Sequence, residues 1–161
     1  MPNLTVTHPD DREHIARGAL VAISALPIAA SLPLIPLPLE RIWLAVVCLA
    51  LPFIVRFLYT RGSGGYLVSG KPWVVVISIA SLLLAALTSN AATMHAYYVE
   101  FGGAGSILTP GFLRWFPSTL ASPELFFSLI AAGVTGVPAL ILMLVTAPKP
   151  PIRKVSEMAQ A

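Results

Sequence analysis

The chain has 161 residues, 57% of them hydrophobic and only 11% charged, with a mean hydropathy of +0.83. Soluble domains carry about 25% charged residues. A chain this short has no interior able to hide such an apolar excess, so lipid is its solvent. The net charge of +3 comes without a dense basic run, which excludes a nucleic-acid footprint. The single cysteine, Cys48, excludes an internal disulfide and any Cys-x-x-Cys redox or metal site. It sits in an apolar run and reads as a small hydrophobe.

Residues 1–17 are polar. Thr7, Pro9 and Asp10 resemble a helix start, and Asp10, Asp11 and Glu13 fall where carboxylates favour the helix dipole. Residues 18–39 form the first uncharged run, 22 residues long. It exceeds the roughly 7–15 apolar residues of a signal peptide and reads as a retained span. Pro27 should kink it, and Pro33, Pro36 and Pro38 should end it in an extended exit.

The second span, residues 42–60, contains Arg56. At about 1.5 Å per residue, Arg56 lies roughly 20 Å from the Ile42 end and about 10 Å below the far surface of a ~30 Å core, within snorkelling reach. A charge inside a span is also a functional candidate. Pro52 suggests a second kink. The Gly/Ser-rich connection from Arg61 to Lys71 lacks the spacing of a phosphate loop.

The third span, residues 73–97, opens behind Pro72 with Trp73-Val74-Val75-Val76-Ile77. Its second half becomes polar, with Asn90, Thr93, His95, Tyr97, Tyr98 and Glu100. Asn90 reads as an interhelical hydrogen-bonding group. Ser78, Ser81, Ala85, Ser89 and Ala92 form a small-residue stripe suited to close helix packing, within the chain or in self-association. Residues 100–121 bring together Phe112, Arg114, Trp115 and Phe116, which suit the headgroup zone. They predict an interfacial loop with one helical turn. Ser122-Pro123-Glu124 is a helix start, opening a fourth span at residues 124–147. Ser128, Ala132 and Gly136 make a second small-residue face, and Gly133, Gly136 and Pro138 predict a bend.

The expected fold is thus a single all-α integral membrane domain with four transmembrane helices and an outer interfacial loop between helices 3 and 4. Eight of the ten Lys and Arg residues fall on one side of this plan, and only Arg41 and Arg114 on the other. The positive-inside rule then makes both termini cytoplasmic. Usage rich in Ala, Pro and Gly suits a GC-rich bacterium and hence its inner membrane.

Few residues offer chemistry. The only aspartates, Asp10 and Asp11, lie outside the spans, which excludes a paired-aspartate intramembrane protease. No Gly-x-Ser-x-Gly or His-Glu-x-x-His is present. The sequence therefore favours a non-enzyme, with no metal and no cofactor expected. His95, Tyr97 and Tyr98 are the candidates for a haem or quinone site. His95 and Glu100 point about 140° apart on a helix, and His8 and His14 lie on the opposite side, so a simple metal or bis-histidine haem site is not expected. The first functional reading is an accessory or scaffolding subunit of a larger membrane complex. A small oligomeric transporter or channel is the second, and a redox subunit the third.

Overall fold

The computed structural model describes residues 14–35, 40–65 and 67–147. The Thr7–Asp10 helix start, Pro36, Pro38 and the tail from residue 148 lie outside the described residues. No strand occurs among the described residues. Four helical stretches are long and apolar enough to cross a membrane: Ile15–Leu34, Ile42–Ser63, Lys71–Glu100 and Pro123–Val145. The described residues are thus all-helical, with four helices suited to lipid. The boundaries differ most at the first span, which starts and stops earlier than its uncharged run, and at the third, which extends at both ends.

The first span consists of α1 (Ile15–Ile23), α2 (Ala25–Ser31) and a 3-10 turn at Leu32–Leu34. Pro27 has no N–H for the Ile23 carbonyl, and its ring crowds that carbonyl. The helix accordingly breaks one turn before the proline, at Ser24. The Ser24 hydroxyl donates to the Val21 carbonyl at 2.6 Å, satisfying an acceptor at the break. Beyond the 3-10 turn, Ile35 is extended. The Leu32 carbonyl accepts from Trp43 Nε1 at 2.8 Å, which ties the end of this span to the next.

Helix α3 (Glu40–Ser63) continues through Pro52. It stops at Gly64 and Gly65, whose φ angles of 89° and 93° are the left-handed values that close a helix. The Gly65 N–H reaches back to the Thr60 carbonyl at 2.7 Å. Helix α4 (Lys71–Glu100) has Pro72 in its first turn. A short α5 (Pro110–Trp115) and a 3-10 turn at Phe116–Thr119 form the interfacial segment. Helix α6 (Pro123–Val145) starts as Ser122-Pro123-Glu124 predicts: the Ser122 hydroxyl accepts from the Leu125 N–H at 3.3 Å. It runs on through Pro138.

Helices α3, α4 and α6 touch one another, while α1 packs mainly on α3 and α2 mainly on α4. The core has two layers. One contains Ala22, Val55, Tyr59, Val74, Ile77 and Met143; the other contains Ala29, Cys48, Leu51, Leu82, Ala85 and Ala132. The His14 N–H donates to the Ser63 carbonyl at 3.2 Å, so the start of α1 and the end of α3 share one end of the bundle.

The small-residue stripes are used inside the chain. Ser78, Ser81, Ala85, Ala132 and Gly136 are buried. That removes most of the free face that self-association through these stripes would need; only Ser89, Ala92 and Ser128 remain half-buried. Two glycines outside both stripes, Gly18 and Gly62, bring α1 and α3 into close contact. A Cβ on Gly62 would stand 2.8 Å from the Arg17 carbonyl oxygen, and one on Gly18 would stand 2.8 Å from the Tyr59 ring. In contrast, a Cβ on Gly133 meets nothing within 4 Å. Gly62→Ala should therefore destabilise the fold by about 1–3 kcal/mol through overpacking. Gly133→Ala should be neutral or stabilise by up to about 1 kcal/mol. Thermal unfolding of the two variants in the same detergent checks this opposition.

Candidate functional site

The richest side-chain chemistry lies where α4 leaves the bundle. His95 and Tyr98, three residues apart, share a face of α4. Phe112 of α5 packs against both: its ring is 5.3 Å from His95 and 5.6 Å from Tyr98, edge-on in each case. Trp115 lies 5.6 Å from Tyr98, and Phe116 stacks on Phe112 at 5.6 Å. Phe112 is fully buried and is the hub of this aromatic cap. Aromatic pairs at such separations add about 0.5–1.5 kcal/mol each beyond burial.

Backbone features hold the cap in place. His95 Nε2 lies 3.0 Å from the Gly105 carbonyl oxygen, which joins α4 to the loop. The protonated ring nitrogen donates in that bond. Gly105 has φ of 104°, a left-handed value. Gly111 lets the Tyr98 hydroxyl approach, since a Cβ there would stand 2.6 Å from that oxygen.

The three cofactor candidates do not share one helix face. Tyr97 is about 200° from His95 around the helix. It is exposed and lines a cavity of about 250 Å³ with Thr93, Glu124 and Ser128, which shares Leu44 and Ser89 with the one beside His95. His95 borders a cavity of about 240 Å³ with Trp43, Leu44 and Ser89. Both volumes fall below the roughly 300–1,000 Å³ of typical ligand pockets. Among the described residues, no three His, Cys, Asp or Glu side chains converge as metal ligands. Arg114 is exposed beside the half-buried Trp115.

Asn90 is fully buried one turn and a half below the cap. Its Oδ1 accepts from the Ser122 hydroxyl at 3.5 Å, a long bond joining α4 to the N-terminus of α6. Its Nδ2 finds no partner among the described residues.

Arg56 lies at the opposite end of the bundle. Its guanidinium donates to the Met143 carbonyl at 3.0 Å, the Thr146 hydroxyl at 3.4 Å and the Thr146 carbonyl at 3.5 Å. The two carbonyls belong to the end of α6, where the last carbonyls lack an intrahelical N–H and the helix dipole carries about half a negative charge. Snorkelling describes the side chain's need but not its solution: the arginine caps a neighbouring helix. Thr146 gave no sequence signal for this role, nor did Gly18 and Gly62 for theirs. A basic residue within one span and a helix end lacking its own basic residue were the available hints.

No known family model, curated protein or solved structure matches this chain.

Two substitutions separate the two ends. Phe112→Ala should cost up to about 3–5 kcal/mol locally and open the cap to protease while circular dichroism still reports helical spans. Arg56→Gln should weaken the α6 end by about 1–2 kcal/mol, lowering the unfolding temperature without exposing the cap.

Proposed function

We propose that this protein is a non-catalytic accessory or scaffolding subunit of a larger membrane complex. It would reside in a bacterial inner membrane, with both termini cytoplasmic and the aromatic cap outside. The cap carries this reading. Its reactive side chains are engaged in its own packing, so it is a shaped surface more than a reaction centre. At its rim, Phe101 and Leu108 are 83% and 79% exposed. Large apolar side chains held out by an ordered loop suit contact with another membrane protein. The charge count supports the sidedness: eight of ten basic residues fall on the side of the termini.

A small oligomeric transporter or channel is a second reading, favoured by the discontinuity at Ser24, since broken helices often border substrate paths. No Asp or Glu lies in the middle of a described span to couple protons or cations.

Extraction from native membrane in mild detergent, followed by mass spectrometry, tests the first reading. The chain should migrate with other membrane proteins, well above its own 17.1 kDa. Combined Phe101→Glu and Leu108→Glu should release it while leaving it inserted. A partnerless wild-type particle, with solute flux after reconstitution, would replace the subunit reading with the transporter.

A further inference from the structure

A shallow, open groove formed by residues of α3 and the glycines that end it lies on the lipid-facing side of that helix, away from the cap. Its lower part, about 510 Å³, is lined by Val46, Leu49, Ala50, Phe53, Ile54 and Phe57, all apolar. Its upper part, about 630 Å³, is lined by Phe53, Arg56, Phe57, Thr60, Arg61 and the two glycines that end α3. Phe53 and Phe57 border both parts. Val46, Ala50, Phe53, Phe57 and Thr60 recur at steps of three and four, which keeps them on one helix face.

The two arginines flank that face. They are five residues apart and so diverge by about 140° at 100° per residue; the stripe runs between them. Each is held in place. The Arg61 guanidinium sits 5.5 Å over the Phe57 ring. Arg56 reaches across to Met143 and Thr146. Every acceptor recorded for Arg56 is neutral, and no carboxylate pairs with either arginine among the described residues. The α6 terminus supplies about half a negative charge, which among the described residues leaves net positive charge at this end of the groove.

Length agrees with charge. From Val46 to Phe57, eleven steps along the helix cover roughly 16 Å, close to half of a ~30 Å hydrocarbon core. The apolar face is therefore about as long as one acyl chain, and Arg61, one turn beyond Phe57, lies nearer the membrane surface.

We propose that this groove binds an anionic glycerophospholipid, with the phosphate between Arg56 and Arg61 and an acyl chain along Val46–Phe57. Guanidinium groups suit phosphate oxygens, to which they donate charge-assisted hydrogen bonds. Basic pockets on transmembrane helices beside an apolar surface select such headgroups over zwitterionic ones. The phosphate recognition alone is shared with free inorganic phosphate; the trench distinguishes the lipid.

The test is native mass spectrometry of the full chain released from nanodiscs containing equal phosphatidylglycerol and phosphatidylcholine. The wild type should retain phosphatidylglycerol preferentially. Arg61→Gln, which leaves the α6 cap intact, should reduce that preference about tenfold, as the loss of a charge-assisted hydrogen bond implies. Ala50→Trp, which fills the trench without altering charge, should reduce it as well. Circular dichroism and a monodisperse elution establish that both variants fold. Equal retention of the two lipids by the wild type overturns the proposal and assigns the arginines to another acid. Unchanged preference in Arg61→Gln overturns it too. Displacement of the bound species by millimolar inorganic phosphate, with Ala50→Trp inert, identifies a free-phosphate site and rejects the lipid.

Discussion

Helices in hydrocarbon gain little from burying apolar side chains against one another, because lipid solvates those side chains equally well. Cohesion must come from close approach and from satisfied polar groups. The fold of this chain follows from that constraint. Gly62 meets the backbone of α1 at Arg17 and Gly18, and Gly136 admits Leu82 of α4 against α6. Ser78, Ser81 and Ala85 remove bulk from the buried face of α4. Many large apolar residues are left outside, as Leu20, Phe57, Val76, Phe126 and Val134 are. An inverted distribution, with small residues out and large ones in, would suit water.

The same constraint governs the polar residues. Each backbone group freed by a proline or a helix end needs a partner. Ser24 supplies one at the break in the first span, and Trp43 supplies one at its end. Arg56 supplies several at the end of α6. Ser78 and Asn90 are exceptions: among the described residues the buried Ser78 hydroxyl and the Asn90 amide nitrogen have no partner. Turning the amide over would move the deficit to its oxygen, since Ser122 offers a single hydroxyl on that side. Its place between α4 and the start of α6 fits a link that fixes those helices relative to each other, at some cost in satisfaction.

Much of this architecture was legible in the sequence because lipid simplifies the signals. Long uncharged runs marked the spans, and Ser122-Pro123-Glu124 and Pro72 marked helix starts. These are local properties, decided by residues within a turn of each other. What remained hidden was long-range. The break fell at Ser24 because a proline damages the turn before it, and the sequence marked only the proline. The small-residue stripe on α4 could have faced a partner or the chain's own helices; periodicity gives a face but not its neighbour. Gly18 and Gly62 meet across 44 positions, and no spacing rule connects them. Arg56 is bound to carbonyls 87 and 90 residues away, groups that every residue carries and no motif announces. At the cap, the aromatic residues were visible as a cluster. Phe112 as the hub, and Tyr97 as the outsider, depended on helix phase and on the path of the loop.

The two ends of the bundle consequently differ in what they offer. At the cap end, histidine, tyrosine and three further aromatics contact one another, and the polar atom of His95 is engaged by Gly105. At the other end, α3 stops at two left-handed glycines, and its last turns carry two guanidiniums beside an open apolar trench. At the cap, ring packing around the buried Phe112 holds the cluster together, whereas among the described residues neither guanidinium at the other end has a carboxylate partner, and intramembrane charge of that kind is a functional candidate. The end that looked chemically plain in the sequence, where Arg56 read mainly as a charge to be tolerated, therefore keeps attraction for an anion through Arg61, while Arg56 is partly spent on the end of α6. The end that looked reactive is the better-built surface.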